Sequence, residues 1–291
     1  MNRRRWMIGC GLAGLATWAR PGHAAASGAA DPAAARVWSF AVLNQRTVAA
    51  TAELWNPILQ WVSRRSGVHL TLAMGKTAVE TTERTVAGAF DFAYTNHLFT
   101  PERRQLGWRV LVRFNRPAIH GQIVVPSTSP LGSLVDLQGK TVVFPSREAV
   151  VAYHAPRQAL HRAGVRVVER FASHQEAAMH QLVSGAADAA GVNDTVMRAY
   201  ALREGFRYRA LWTSAPFPDL PVMVHPRVPN EIVARVQAAF LAMDADREGR
   251  RILDDAGALL AADHPLAFVR AHESDYDVYR ALWASAPGVA R

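Results

Sequence analysis

From about residue 37 onward, two hydrophobic periods alternate along the chain. Short apolar runs at 37–43, 68–73, 90–94 and 109–114 predict strands. Between them, apolar positions recur every three or four residues. Leu54, Trp55, Ile58, Leu59 and Val62 mark one face of a helix that starts after Thr47, a candidate N-cap, and runs to Ser66, where Gly67 stops it. A helix over 79–87 closed by Gly88 and a short one near 101–106 complete this part. Two further apolar strands, 118–125 and 220–224, frame a middle region with the same alternation. It contains a helical turn at 134–137, strands at 141–144, 165–171, 187–192 and 208–213, and helices at 150–163, 173–183 and 196–203. Ser173 with Glu176 gives the capping-box spacing, and Asp194 is the expected cap of the last of these helices. The C-terminal part reads as helical: 231–243 capped by Asn230, then 248–255 and 275–284.

Strand–helix alternation on both sides of the frame predicts an α/β protein with two mostly parallel sheets flanked by helices. A chain that crosses into a second unit and returns makes two lobes. The expected division is lobe 1 from 37–121 with 223–291 and lobe 2 from 122–222, joined by two hinge strands across a cleft. Such a cleft suits capture of a small solute by hinge closure. Ligands in such sheets bind beyond the carboxyl ends of the strands and at helix N-termini. The loops of interest are therefore 44–47, 95–97, 146–150 and 193–195.

Residues 1–26 change the picture of where the chain works. Arg3, Arg4 and Arg5 form a positive start, an apolar stretch runs from Trp6 to Trp18, and Gly22–Ala26 offers small residues for cleavage. This pattern predicts a secretory signal peptide and a periplasmic protein, with the twin-arginine route as an open alternative to the general one. Later in the chain no apolar stretch is long enough to predict a transmembrane helix. Cys10, the only cysteine of the 291 residues, falls inside this segment, so no disulfide or thiolate metal site is expected after cleavage. The net charge of +9 falls to +5 without Arg3, Arg4, Arg5 and Arg20. The basic residues are scattered and not interleaved with aromatics, which argues against nucleic acid as a partner.

Little in the sequence points to catalysis. There is no Gly-x-Ser-x-Gly, no phosphate-cradling Gly-x-x-x-x-Gly-Lys, and no thiol beyond residue 10. The eleven histidines contain no His-x-x-x-His pair, so neither a metal nor another cofactor is expected. Several strand-end residues carry binding chemistry. Thr95 and Asn96 can donate to a ligand or simply build a turn. Ser146 can donate to an oxyanion where the next helix offers free N–H groups, or serve as an N-cap. Arg147 can clamp a carboxylate or phosphate, or remain a solvated surface arginine. His120 lies at the crossover.

Several segments resemble the phosphonate/phosphite/phosphate-type substrate-binding proteins of ABC transporters. They are Glu53-Leu-Trp-Asn-Pro-Ile-Leu59, Arg64-Arg-Ser-Gly67, Ala87-Gly-Ala-Phe-Asp-Phe-Ala-Tyr94, Ser133-Leu-Val-Asp-Leu-Gln-Gly-Lys-Thr-Val142, Ser184-Gly-Ala-Ala-Asp-Ala-Ala190 and Trp212-Thr-Ser-Ala-Pro216. Their order covers nearly the whole chain after the signal segment. The resemblance implies a type II periplasmic-binding fold, no catalysis, and a small, anionic ligand of the phosphonate, phosphite or phosphate kind. It implies delivery of that ligand to a membrane permease, with a sensory role beside a histidine kinase as the alternative, and a monomer. It places Tyr94, Tyr153 and His154 at the cleft, Asn44 and Thr47 in the first loop, and Asn193 and Asp194 at a strand end where an acidic residue meets a ligand amine. Two departures stand out. The second-lobe anion loop of the family is rich in hydroxyls and ends in glycine, whereas here 146–150 reads Ser-Arg-Glu-Ala-Val. The first loop often carries an aromatic, whereas here 44–47 reads Asn-Gln-Arg-Thr.

Overall fold

A computed structural model describes residues 36–284; the expected signal segment lies outside the described residues. Strand β1 (Val37–Val42) leads into helix α1 (Val48–Ser66), then β2 (His69–Ala73), α2 (Ala78–Val86), β3 (Phe92–Tyr94), α3 (Pro101–Arg104) and β4 (Arg109–Phe114). After the first crossing come β5 (Gly121–Pro126), β6 (Thr141–Phe144), α4 (Ala155–Arg162), β7 (Val168–Phe171), α5 (Gln175–Val183), β8 (Ala189–Asn193), α6 (Asp194–Glu204) and β9 (Tyr208–Thr213). The return brings β10 (Pro221–Val224), α7 (Asn230–Ala242), α8 (Arg247–Leu259), β11 (Phe268–Arg270) and α9 (Asp277–Ala284).

These strands form two sheets, in the orders β11-β4-β10-β3-β1-β2 and β7-β6-β8-β5-β9. Both are mixed rather than mostly parallel. In the larger sheet β1 runs parallel to β2 and β3, while β10 pairs antiparallel with both β3 and β4. In the smaller, β6 is parallel to β7 and β8, while β5 is antiparallel to β8 and β9. The antiparallel ladders belong to the strands next to the crossings. There the chain enters each sheet against the direction set by its strand–helix–strand units.

Local chemistry accounts for most element ends. Thr47 caps α1 by accepting from Ala50 N at 3.2 Å, and Gly67 ends it at φ 67°. Asp91 of the Ala87–Tyr94 segment is an anchor beside β1. Its carboxylate accepts from Ser39 N and the Ser39 hydroxyl, both at 2.9 Å, and pairs with Arg227 at 2.9 Å. Three caps differ from expectation, and so does one helix start. His174, not Ser173, caps α5, its ring nitrogen accepting from Ala177 N, while the Ser173 carbonyl is taken by Ala78 N. Asn193, not Asp194, caps α6, and Asp194 becomes its first residue. Asn230 opens α7 without capping it, because its side-chain oxygen accepts from Arg109. Helix α8 starts earlier than expected because Asp246 caps it. Strand β11 was not expected; it is short and edge-placed beside β4.

The expected helix over 150–163 begins as a π turn, Val150–His154, before α4. Ala155 N donates to Val150 O, five residues back. Pro156 has no N–H for the carbonyl four residues before it, which releases Ala152 O and favours the wider turn. Two glycines make room for the turn's carbonyls. A Cβ on Gly121 would lie 2.2 Å from Val151 O, and one on Gly191 would lie 2.5 Å from Ala152 O.

Alternation along the strands of the smaller sheet separates its two apolar faces. Val124, Val143 and Ala190 face α5 and α6, whereas Ile123, Val125, Val142, Phe144 and Ala189 face α4 and Tyr153. The larger sheet packs around Trp55, whose ring lies 4.8 Å from Tyr94 and 5.1 Å from Phe40. Val150 and Val151 of the π turn belong to this same cluster, so the start of the helical segment after β6 is buried against the larger half. We expect Gly121→Ala to cost about 1–3 kcal/mol through overpacking against Val151, read as a lower urea midpoint at unchanged slope.

Candidate functional site

The two crossings run side by side. Ile119 N donates to Phe217 O at 2.7 Å and Phe217 N returns the bond to Ile119 O at 2.8 Å. Arg116 and Asp219, both buried, pair across the same two segments at 3.5 Å. Above this floor lie the carboxyl ends of β1 and β3 from one sheet and of β6 and β8 from the other. The halves also touch through Arg103 and Glu148 at 2.6 Å, through Glu176 N to Gln45 O at 3.4 Å, and through His154 against Trp283 at 4.2 Å between ring centroids.

Most of the sequence-predicted polar residues at these strand ends are committed to holding the backbone. Asn44 donates to Gly75 O at 3.0 Å and accepts from the Thr81 hydroxyl at 2.6 Å. Thr47 caps α1. The Thr95 hydroxyl accepts from His97 N, and Asn96 donates to the Tyr279 phenol. His120 offers its ring Nδ1 to Ser214 O at 2.9 Å, which requires the proton on Nδ1, while its backbone N–H donates to Asp194 Oδ1 at 2.8 Å. Asn193 accepts from Thr195 N and its hydroxyl, and Asp194 also accepts from Thr195 N.

The second-half loop departs furthest from an anion cradle. Ser146 is 2% exposed and its hydroxyl finds no partner among the described residues. Arg147 is exposed and lies over the Phe171 ring at 4.3 Å. Glu148 is taken up by Arg103. Tyr153 donates to Glu169 at 2.9 Å, and burial together with that carboxylate pushes its phenol up to about 12. Burial holds His154 down to about 4 and His97, whose ring meets the Thr82 hydroxyl at 2.8 Å, down to about 3.

Tyr94 has a different environment. It lines a small cavity with Arg46, Arg116, Leu54, Trp55 and Phe114. Burial, with Asp219 adding to it, pushes its phenol well above the ordinary range. Burial also lowers the Arg46 guanidinium, and the like charge of Arg116 acts in the same direction. Burial raises the Asp219 carboxyl despite Arg116 and the Leu220 N–H. The cavity therefore gathers two guanidiniums and one phenol among mostly apolar side chains, with Asp219 paired to Arg116 and Glu176 acting on Arg46. Arg46 sits in a loop flagged by the sequence, and its place beside Tyr94 and Arg116 shows only in three dimensions. Arg116 and Asp219 are 103 residues apart, and nothing local marks them as partners. Among the described residues no group of three or more His, Cys, Asp or Glu side chains could hold a metal ion.

Comparison with known proteins bears on the fold and the family. The family model described as "ABC transporter, phosphonate, periplasmic substrate-binding protein" matches residues 40–276. No curated protein matches the sequence. Among solved structures, the chain is similar to a binding protein component of an ABC phosphonate transporter from Pseudomonas aeruginosa. The TM-score is 0.72 at 15% identity, over 84% of this chain and 85% of that one. It is similar to PhnD1 from Prochlorococcus marinus in complex with methylphosphonate, with TM-score 0.72 at 16% identity, over 84% and 96% of the two chains. A Xanthomonas citri protein bound to ATP gives a TM-score of 0.63 at 17% identity, over 85% and 96%.

The buried histidines set a pH dependence. A histidine held neutral in the fold has a depressed folded pKa. Its contribution is therefore fully present above the unfolded value of 6.5 and is lost as pH falls toward about 4 for His154 and about 3 for His97. Chemical denaturation from pH 7 to 4 should show declining stability, with a slope of up to about 1.4 kcal/mol per pH unit per histidine. His154→Gln should remove one proton from that slope, and an unchanged slope would contradict the assignment.

Proposed function

The chain belongs to the periplasmic substrate-binding protein family of phosphonate ABC transporters, and from that premise we propose that it captures a small anionic ligand between its two halves and hands it to a membrane permease. The family is one of transport proteins rather than enzymes. The observation that carries the anionic reading is the pair Arg46 and Tyr94. With Arg116, both line one cavity at the carboxyl ends of β1 and β3. Guanidinium forks and a phenol hydroxyl gathered at one cavity are the donors that suit an oxyanion.

Capture would act through the hinge. A ligand contacting both halves favours the closed arrangement by its differential affinity for it. The Arg103–Glu148 pair would contribute a little to closure, since a partly exposed ion pair is worth about 0–1 kcal/mol. In this reading the working protein is a monomer, exported by way of residues 1–26 and divided near residues 121 and 223 into the two moving lobes.

A thermal-shift screen tests the reading. Methylphosphonate, phosphite, phosphate and sulfate are compared with zwitterionic and neutral solutes of similar size. We expect at least one anion to stabilise the protein, by about 2.7 kcal/mol at a hundredfold excess over Kd. Stabilisation by zwitterions or neutral solutes alone would refute the anionic ligand.

A further inference from the structure

The last helix, α9, is fastened to the larger half but ends on the smaller one. Glu273, just before it, accepts from Val110 N at 2.8 Å, and Tyr276 stacks on Phe99 with 4.8 Å between ring centroids. The Tyr276 hydroxyl donates to Asp219 O at 3.0 Å and the Tyr279 hydroxyl to Pro218 O at 2.7 Å, so the same segment also grips the return crossing. One turn further on, Leu282 lines a groove with Ala155 and Ala159 of α4, and Trp283 meets His154 of the π turn with 4.2 Å between ring centroids. A helix tied to the crossing thus carries an indole onto the opposite half.

His154 is engaged on several sides. Its ring donates to the Arg147 carbonyl and lies against Tyr153 as well as Trp283. The charged and titratable groups that face it are Glu148 and Arg157 from its own half and Arg103 and His97 from the larger one. Glu148 is already paired with Arg103. A charged imidazole would therefore meet two arginines and one shared carboxylate in a site with little water.

The contact is balanced rather than tight. Two packed rings attract each other. Against that, Trp283 Nε1 is buried with no hydrogen-bond partner among the described residues, and water would satisfy it once the rings part. Opposing contributions of similar size are what a reversible closure needs, because neither arrangement is then locked.

Resting on capture between the two halves as read above, we propose that His154 and Trp283 form a clasp across the cleft, a pair of positioning residues that sets how much of the protein stands closed. Apparent affinity for any ligand of the closed arrangement scales with that fraction. The clasp also responds to acid. Burial, ahead of every other influence, holds His154 down to about 4 while the rings are packed. Parting them returns the imidazole toward its ordinary value of about 6.5. The open arrangement then takes up the proton more readily, so the clasp is intact above that value and loosens as pH falls toward 4.

Double electron–electron resonance tests this without a ligand. Cys10→Ser removes the one native thiol, and spin labels are placed on cysteines introduced at exposed Gln60 of α1 and exposed His180 of α5, one in each half. We expect a short distance to dominate at pH 7 and the ratio of long to short to rise about tenfold at pH 5. Trp283→Ala should raise that ratio about fivefold at pH 7, Trp283→Phe should restore most of the closed population, and the exposed control Arg166→Gln should change nothing. His154→Gln should flatten the response between pH 7 and 5 to less than about twofold. That pH response decides the question if Trp283→Ala does not fold, since a merely structural role would leave it in place. A distance distribution unmoved by Trp283→Ala, or a full pH response in His154→Gln, overturns the clasp. Neither outcome touches the anionic reading, which stands or falls on the thermal-shift screen.

Discussion

The structure depends on the way the chain crosses twice between its sheets. Ile119 and Phe217 exchange backbone hydrogen bonds, and Arg116 and Asp219 pair a few residues away. Strand β10 then inserts between β3 and β4, in the middle of the larger sheet. Both crossings are thereby held at one narrow strip. Every strand end that faces the gap takes its position from that strip.

The charge arrangement follows from the same constraint. Asp219 must lie where the return segment enters the larger sheet, and Arg116 where the outgoing segment leaves it. Burial there raises the Asp219 carboxyl while Arg116 opposes the rise, and Arg46 has Glu176 as well as Asp219 among the acidic groups acting on it. The cavity beside them is polar at the strip and aromatic above it, where Trp55 and Phe114 form the wall.

Periodicity made the alternation of strands and helices legible, and the α1 boundaries could be read closely from Thr47 and Gly67 because both act through contacts within one turn. The resemblance anchored the family, since several weak segments in a fixed order constrain one another. What could not be read was decided at long range. Ser173, Asp194 and Asn230 have the right chemistry for caps, but a neighbour in sequence or a partner from elsewhere took each role. The π turn depends on Pro156 together with Gly121 and Gly191, two glycines from different strands. The strand-end hydroxyls and amides expected to meet a ligand are largely occupied with backbone, and the pairing of Arg116 with Asp219 joins segments that no local pattern links.

The position of β10 also bears on the order of assembly. The five-stranded sheet draws all its strands from one continuous stretch of chain, 121–213. The six-stranded sheet cannot close its centre until Pro221–Val224 arrives, more than a hundred residues after the Arg109–Phe114 strand it joins. Loop-closure entropy for such distant partners falls sharply once the intervening stretch has collapsed and brought its two ends together. The inner sheet thus acts as a splint, and the outer sheet, late to complete, is the part of the nascent chain whose strand edges stay unpaired longest.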